Sequence, residues 1–131
     1  MTKEELTRKM FEKDAYVKLS GIEIVEITDE SATVRAKIRA EHLNANGAVQ
    51  GGMLYTLADF AFAVAANWES MGCVSLHSDI SFLGAAKGQR LIAKAVCVKD
   101  GKSTSCYRVD VTDDLGTFVA TITVTGYHVK G

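Results

Sequence analysis

From Ser31 the chain alternates. Ala32, Val34, Ala36 and Ile38 are apolar, and Thr33, Arg35, Lys37 and Arg39 between them are polar. Period two over ten residues predicts a strand with one wet face. "GIEIVEIT" (21–28), rich in β-branched residues, predicts another, and "TDE" between them reads as a turn. Strand patterns return over 73–84, 90–100, 104–114 and 116–129. In 104–114, Tyr107, Val109 and Val111 oppose Cys106, Arg108 and Asp110; in 116–129, Phe118, Ala120, Ile122 and Val124 oppose threonines. "KDGK" (99–102) and "DDLG" (113–116) read as hairpin turns. Two stretches are different. Residues 3–14 predict a short amphipathic helix with Leu6 and Met10 on one face. Gly51–Trp68 is apolar nearly throughout and predicts a helix for burial.

The order strand, strand, long helix, then hairpin-linked strands gives a mostly antiparallel sheet with one face to cover. The Gly51–Trp68 helix is the element apolar enough to cover it. The expected architecture is α+β, a sheet wrapped around one helix, in a single domain over 1–131.

At 131 residues, 47% hydrophobic and 24% charged, the composition is that of an ordinary globular domain. A net charge of −1 does not advertise nucleic-acid binding. The N-terminus carries mixed charge without an apolar core, so it does not read as a signal peptide. The apolar stretch contains Thr56, Asp59 and Asn67 and lacks basic flanks, which argues for burial in protein over a membrane span. Cys73, Cys97 and Cys106 show no paired spacing; they read as small buried residues in a cytoplasmic protein, and neither a disulfide framework nor a zinc site is expected. His42, His77 and His128 show no ligand spacing, so no metal is expected. Tyr107 and Tyr127 read as packing residues. Lys87 to Arg108 holds six cations and Asp100, a local charge of +5. Solvated strand faces explain most of them. Lys87, Arg90 and Lys102, near predicted strand ends, are candidates for phosphate contacts.

The lone charge between Asn44 and Trp68 is Asp59. A carboxylate within an apolar helix is desolvated and made more basic, and such positions are enriched at functional sites. Gly51 and Gly52 open the same helix, where backbone N–H groups lack partners and no side chain shields them. A developing oxyanion fits there. Eight residues separate Gly51 from Asp59, roughly 12 Å along a helix. Two helices related by a dimer axis bring both groups to one reacting atom more readily than one helix does.

"HLNANGAVQGGMLYTLADFAFAVAAN" resembles the signature of the hotdog-fold thioesterases of the phenylacetate-pathway (PaaI-like) type, and the resemblance runs from Gly21 over most of the chain. It implies a curved antiparallel sheet around a central helix, and hydrolysis of acyl-CoA thioesters at a dimer interface. It also implies that dimers often pair into tetramers, and that no cofactor acts beyond the coenzyme A of the substrate. By that resemblance Asp59 is the general base or nucleophile, and Gly51 supplies the oxyanion N–H. Asn44 places the substrate carbonyl or water, and Ser75 orients water. The family's usual His before Gly-Gly is Gln50 here. Gln keeps a donor and an acceptor but does not titrate near neutrality. A non-catalytic acyl-CoA binding module therefore stands as the alternative. A hotdog hydratase, which pairs a His with an acid, fits less well because His42 is badly spaced from Asp59.

Overall fold

The computed structural model describes residues 2–67 and 72–129. Two helices, α1 (Lys3–Phe11) and α2 (Ala15–Ser20), precede strands β1 (Ile22–Ile27) and β2 (Ser31–Lys37). A 3-10 turn at Ala40–His42 leads to the long helix α3 (Gly51–Asn67). Strands β3 (Cys73–Phe82), β4 (Arg90–Asp100), β5 (Thr104–Asp113) and β6 (Phe118–His128) complete the chain. They form one sheet in the order β1-β2-β4-β5-β6-β3, every neighbouring pair antiparallel.

The core is the space between α3 and the sheet. Leu57, Ala58, Ala61, Phe62 and Val64 of α3 are buried against alternate residues of β2 (Ala32, Val34, Ala36), β4 (Leu91, Ala93, Ala95), β5 (Val109, Val111) and β6 (Ile122, Val124). The alanines of β2 and β4 let the helix lie close to the strands it crosses most. Register shifts in the β1–β2, β3–β6, β4–β5 and β5–β6 pairs strengthen the local twist and bend the sheet around the helix.

The N-terminal reading needs correction. The helix expected over 3–14 stops at Phe11, and a second helix follows. Asp14 caps α2, its side chain accepting the Val17 N–H at 3.1 Å. Gly21 ends α2 at φ 74°, the left-handed conformation that glycine adopts without a Cβ penalty. A Cβ there would also press on the Arg39 guanidinium at 3.2 Å. The inward face of α1 carries Thr7 and Phe11, whereas Leu6 is 54% exposed. Phe11 meets Phe60 of α3 edge-on, ring centroids 5.4 Å apart, and this contact fixes α1 to the central helix.

Other differences are smaller. The strand expected to reach Ala40 ends at Lys37, and the one expected to reach residue 84 ends at Phe82. Trp68, expected at the end of the long helix, lies outside the described residues. Phe118 points outward because Val111 pairs with Ala120 and Thr112 with Phe118, which leaves Val119 as the extra, buried residue. Cys73 is buried, but Cys97 and Cys106 are half-buried. Tyr107 is buried edge-on to Phe62, while Tyr127 is exposed.

The two sheet edges are treated differently. Along β1, Arg8 donates to the Ile24 and Val25 carbonyls at 2.8 and 2.9 Å, blocking that edge. Among the described residues no strand pairs with the outer edge of β3, and Val74, Leu76 and Phe82 are exposed along the strand.

Phe11→Ala is expected to cost about 2 kcal/mol in urea unfolding, from lost burial and the lost ring pair. Leu6→Ala is expected to change stability by less than about 0.5 kcal/mol. Equal losses would show that Leu6 belongs to the inner face after all.

Candidate functional site

Asp59 sits in the middle of α3, half-buried, in a cleft of about 270 Å³. Asp14, Tyr16 and Val17 form one wall; Tyr55, Thr56, Phe60 and Ala63 line the other. Burial, reinforced by the charge of Asp14, raises the Asp59 carboxyl above the usual carboxylate range. The nearby hydroxyls are engaged elsewhere: Tyr55 donates to Ser78 Oγ at 3.0 Å, and Thr56 to the Gly52 carbonyl at 2.8 Å. Among the described residues, no hydrogen bond or ion pair reaches the Asp59 carboxylate. It is a desolvated base with free lone pairs.

At the start of α3, Leu54 N–H donates to the Gln50 carbonyl, so Gln50 is the residue from which the helix springs and Gly51 is its first turn. The Gly51 N–H is free of helical bonding and donates to Gln50 Oε1 at 3.2 Å. The Phe82 ring lies against Gly51 so closely that a Cβ would stand 3.1 Å from it. A side chain at this position would meet aromatic carbon; glycine keeps the N–H approachable. Gly52, next along, is exposed.

Asn44 is half-buried in the loop before the helix. Its Oδ1 accepts the Asn46 and Ala48 N–H groups at 2.9 and 3.1 Å, which leaves its Nδ2 as the group available outward. Ser75 lies on the open edge strand β3, and its hydroxyl is 3.3 Å from Ser78 Oγ. Ser78 in turn receives the Tyr55 proton, so a chain of hydroxyls joins Ser75 to the Asp59 cleft.

The cations do not converge. Lys87 and Arg90 flank the loop that follows Phe82, at the Gly51 end of the molecule; Lys102 lies past the far end of β4, eleven residues or roughly 33 Å away. Lys94 and Arg108 face a groove on the outside of the sheet, and Arg108 pairs with Asp110 at 3.0 Å. His42 is buried, with Nδ1 accepting the Arg39 N–H and Nε2 held to the Ser20 carbonyl at 2.8 Å. Both nitrogens are occupied away from Asp59, which removes the support for a His–acid pair. Among the described residues, no three His, Cys, Asp or Glu gather as metal ligands.

Sequence reasoning overlooked a buried acid. Asp113 is 2% exposed and accepts the N–H groups of Lys87, Gly88, Leu115 and Thr117 at 2.8–3.0 Å. Desolvation pushes its carboxyl up, but the N–H donors of Lys87, Gly88 and Thr117 outweigh it and hold it well below the usual range. Asp114 likewise accepts the Gln89 and Arg90 N–H groups. These two acids moor the loop carrying Lys87. The Asp-Asp-x-Gly turn was legible in the sequence; its partner loop was not. Asp14 was also passed over, although an Asp seven residues before a Gly is a helix start-and-stop signal.

The Thioesterase superfamily profile matches residues 46–120. The chain belongs to the thioesterase superfamily. The acyl-coenzyme A thioesterase PaaI of Escherichia coli K12 is 32% identical over 123 residues, covering 93% of this chain and 88% of that one. The solved E. coli PaaI structure, from the phenylacetic acid degradation operon, superposes with a TM-score of 0.93 at 30% identity over 98% and 95% of the two chains. A hypothetical thioesterase protein from Streptococcus pneumoniae TIGR4, solved with coenzyme A, has a TM-score of 0.84 at 32% identity over 94% and 96%. The thioesterase is thus PaaI-like, with the hotdog architecture of a sheet curved around one helix. Among its described residues, no helix is long and apolar enough to cross a membrane.

Half-buried Asp59 and buried Asp113 give the thioesterase opposite responses to pH. Asp59, raised in the fold, binds its proton more tightly folded than unfolded, so its penalty to stability appears as pH rises through that window. Asp113, lowered in the fold, contributes stability that is present above its unfolded value and lost as pH falls toward its folded one. Thermal melts from pH 3 to 8 are expected to show Asp59→Asn more stable than wild type at neutral pH, the difference vanishing in acid. Asp113→Asn is expected to be less stable at neutral pH. A neutral-pH Asp59→Asn protein that melts lower than wild type would contradict the donor-free environment.

Proposed function

We propose that this chain hydrolyses acyl-CoA thioesters to free acid and coenzyme A in a homodimer, at sites shared between two subunits. The observation that carries the reading is Asp59: a half-buried carboxylate with no donor among the described residues, in a cleft, on the central helix of a thioesterase fold. The helix start of one subunit faces the Asp59 cleft of its mate. The open edge of β3, with Val74, Leu76 and Phe82 exposed, supports that strand as the seam between subunits. Pairing of dimers into tetramers follows the family resemblance. Three unpaired thiols suit a reducing, cytoplasmic setting.

In the proposed reaction a water in the cleft gives its proton to Asp59 as its oxygen attacks the thioester carbonyl carbon. The carbonyl oxygen becomes an oxyanion and takes the place of Gln50 Oε1 on the Gly51 N–H. Asn44, through its Nδ2, and Ser75, through its hydroxyl, orient carbonyl and water. The tetrahedral intermediate collapses by breaking the C–S bond. The thiol, with a pKa of about 8.5, leaves as thiolate, so no strong general acid is required; the proton held by Asp59 returns to it through solvent. Lys87 and Arg90, at the Gly51 end, are placed for the coenzyme A phosphates; Lys102 of the same chain is too far away to join them. Aromatic or short-to-medium acyl groups suit the walls formed by Tyr55, Phe60 and Ala63.

Thiol release over a panel of aromatic and straight-chain acyl-CoAs tests the reading. Asp59→Asn is expected to abolish release while retaining acyl-CoA binding by calorimetry. Gly51→Pro deletes the one N–H and suits the first helical position. It is expected to lower kcat by about 10²–10³; its Cβ, 3.1 Å from the Phe82 ring, is expected to lower the melting temperature too, so Gly51→Ala, which brings the same Cβ but keeps the N–H, is the control. Binding without turnover of any acyl-CoA by the wild-type protein would favour the non-catalytic alternative.

A further inference from the structure

The wall opposite Asp59 is unusual for a site that must hold a charged base. The groups facing Asp59 are Asp14 and Tyr16 from the α2 side and Tyr55 on its own helix, and among the described residues no cation lines the cleft. Asp14 is not free to turn away, because its Oδ1 is held by the Val17 N–H at 3.1 Å in capping α2. A helix cap can be made by Ser, Thr or Asn without any charge. Here the cap is a carboxylate, fixed across a small cleft from the acid that must accept a proton.

We propose that Asp14 is a positioning residue for the reaction, its fixed negative charge making Asp59 a better proton acceptor. The proposal rests on the reading of Asp59 as general base. A like charge across a poorly solvated cleft disfavours the ionised form of its neighbour, so the neighbour takes up a proton more readily. The hydroxyls of Tyr55 and Thr56 are turned to Ser78 and Gly52, so they do not offset that repulsion by donating to Asp59. Burial is the larger cause that raises the Asp59 carboxyl, and the charge of Asp14 is the second. The short helix α2 then has a chemical task besides closing the cleft: it delivers one charge to one place.

The test is the pH dependence of kcat/KM for thiol release by the full-length protein. Asp14→Asn and Asp14→Ser both keep an acceptor for the Val17 N–H, so α2 stays capped while the charge is lost. Both variants are expected to move the acid limb of the profile to lower pH, with a loss of kcat at the plateau of less than about tenfold. Raising the salt concentration is expected to narrow the gap between wild type and either variant. Carboxyl-carbon NMR titration of Asp59 is expected to move in the same direction, independently of turnover. If both variants keep the wild-type limb and the wild-type Asp59 titration, the proposal is overturned, even if melting temperature falls. An Asp59→Asn protein that retains the wild-type limb would instead overturn the general-base reading itself.

Discussion

An α-helix advances about 1.5 Å per residue and does not bend to suit a reaction. That rise separates the Gly51 N–H from the Asp59 carboxylate along one rigid, buried rod, with Phe82 against the first and the Asp14 wall against the second. Neither can be brought to the other within one chain without breaking the core that α3 makes with β2 and β4. A site that needs both must borrow one of them. The proposed dimer would use the open sheet edge: β1 is closed by Arg8, whereas among the described residues no strand pairs with the outer edge of β3.

Asp59 and Asp113 show why burial alone does not make a base. Asp113 is the more deeply enclosed, yet four N–H groups satisfy its lone pairs and it serves as a staple between two loops. Asp59 is less enclosed, but the hydroxyls around it are spent on other acceptors and the nearest charge is negative. Hydrogen-bond supply, more than depth, divides a carboxylate held ionised from one pushed toward its protonated form. On the proposed reading, the Asp59 environment costs stability, as is common at functional sites.

Most of the sheet was legible because its inner face obeys period two: Ala32, Val34 and Ala36, then Tyr107, Val109 and Val111, point inward as their alternation requires. The same rule misplaced Phe118, since one extra residue at Val119 shifts the phase, and a bulge leaves no mark on alternation until a partner strand is known. The long helix was legible from its apolar content, and Asp59 from its solitude there. The break between α1 and α2 is not legible in amphipathic spacing, because it is set by the Asp14 cap and the Gly21 stop. The cation window looked like one patch along the chain, but a strand of eleven residues carries its two ends to opposite sides of the molecule. Linear proximity misleads most where the chain is most extended. The mooring of the Lys87 loop by Asp113 depends on two segments 26 residues apart, which no local pattern reports.

The shared site is tested most directly by mixing two inactive chains. Asp59→Asn subunits lack the base but keep a sound helix start; Gly51→Pro subunits lack the N–H but keep the base. Unfolded together in equal amounts and refolded, they form mixed dimers in which one of the two sites is whole. The account predicts recovery of about a quarter of wild-type thiol release per subunit, from random pairing into dimers. Activity no greater than the average of the two variants refolded alone, with mixed dimers demonstrably formed, would contradict it.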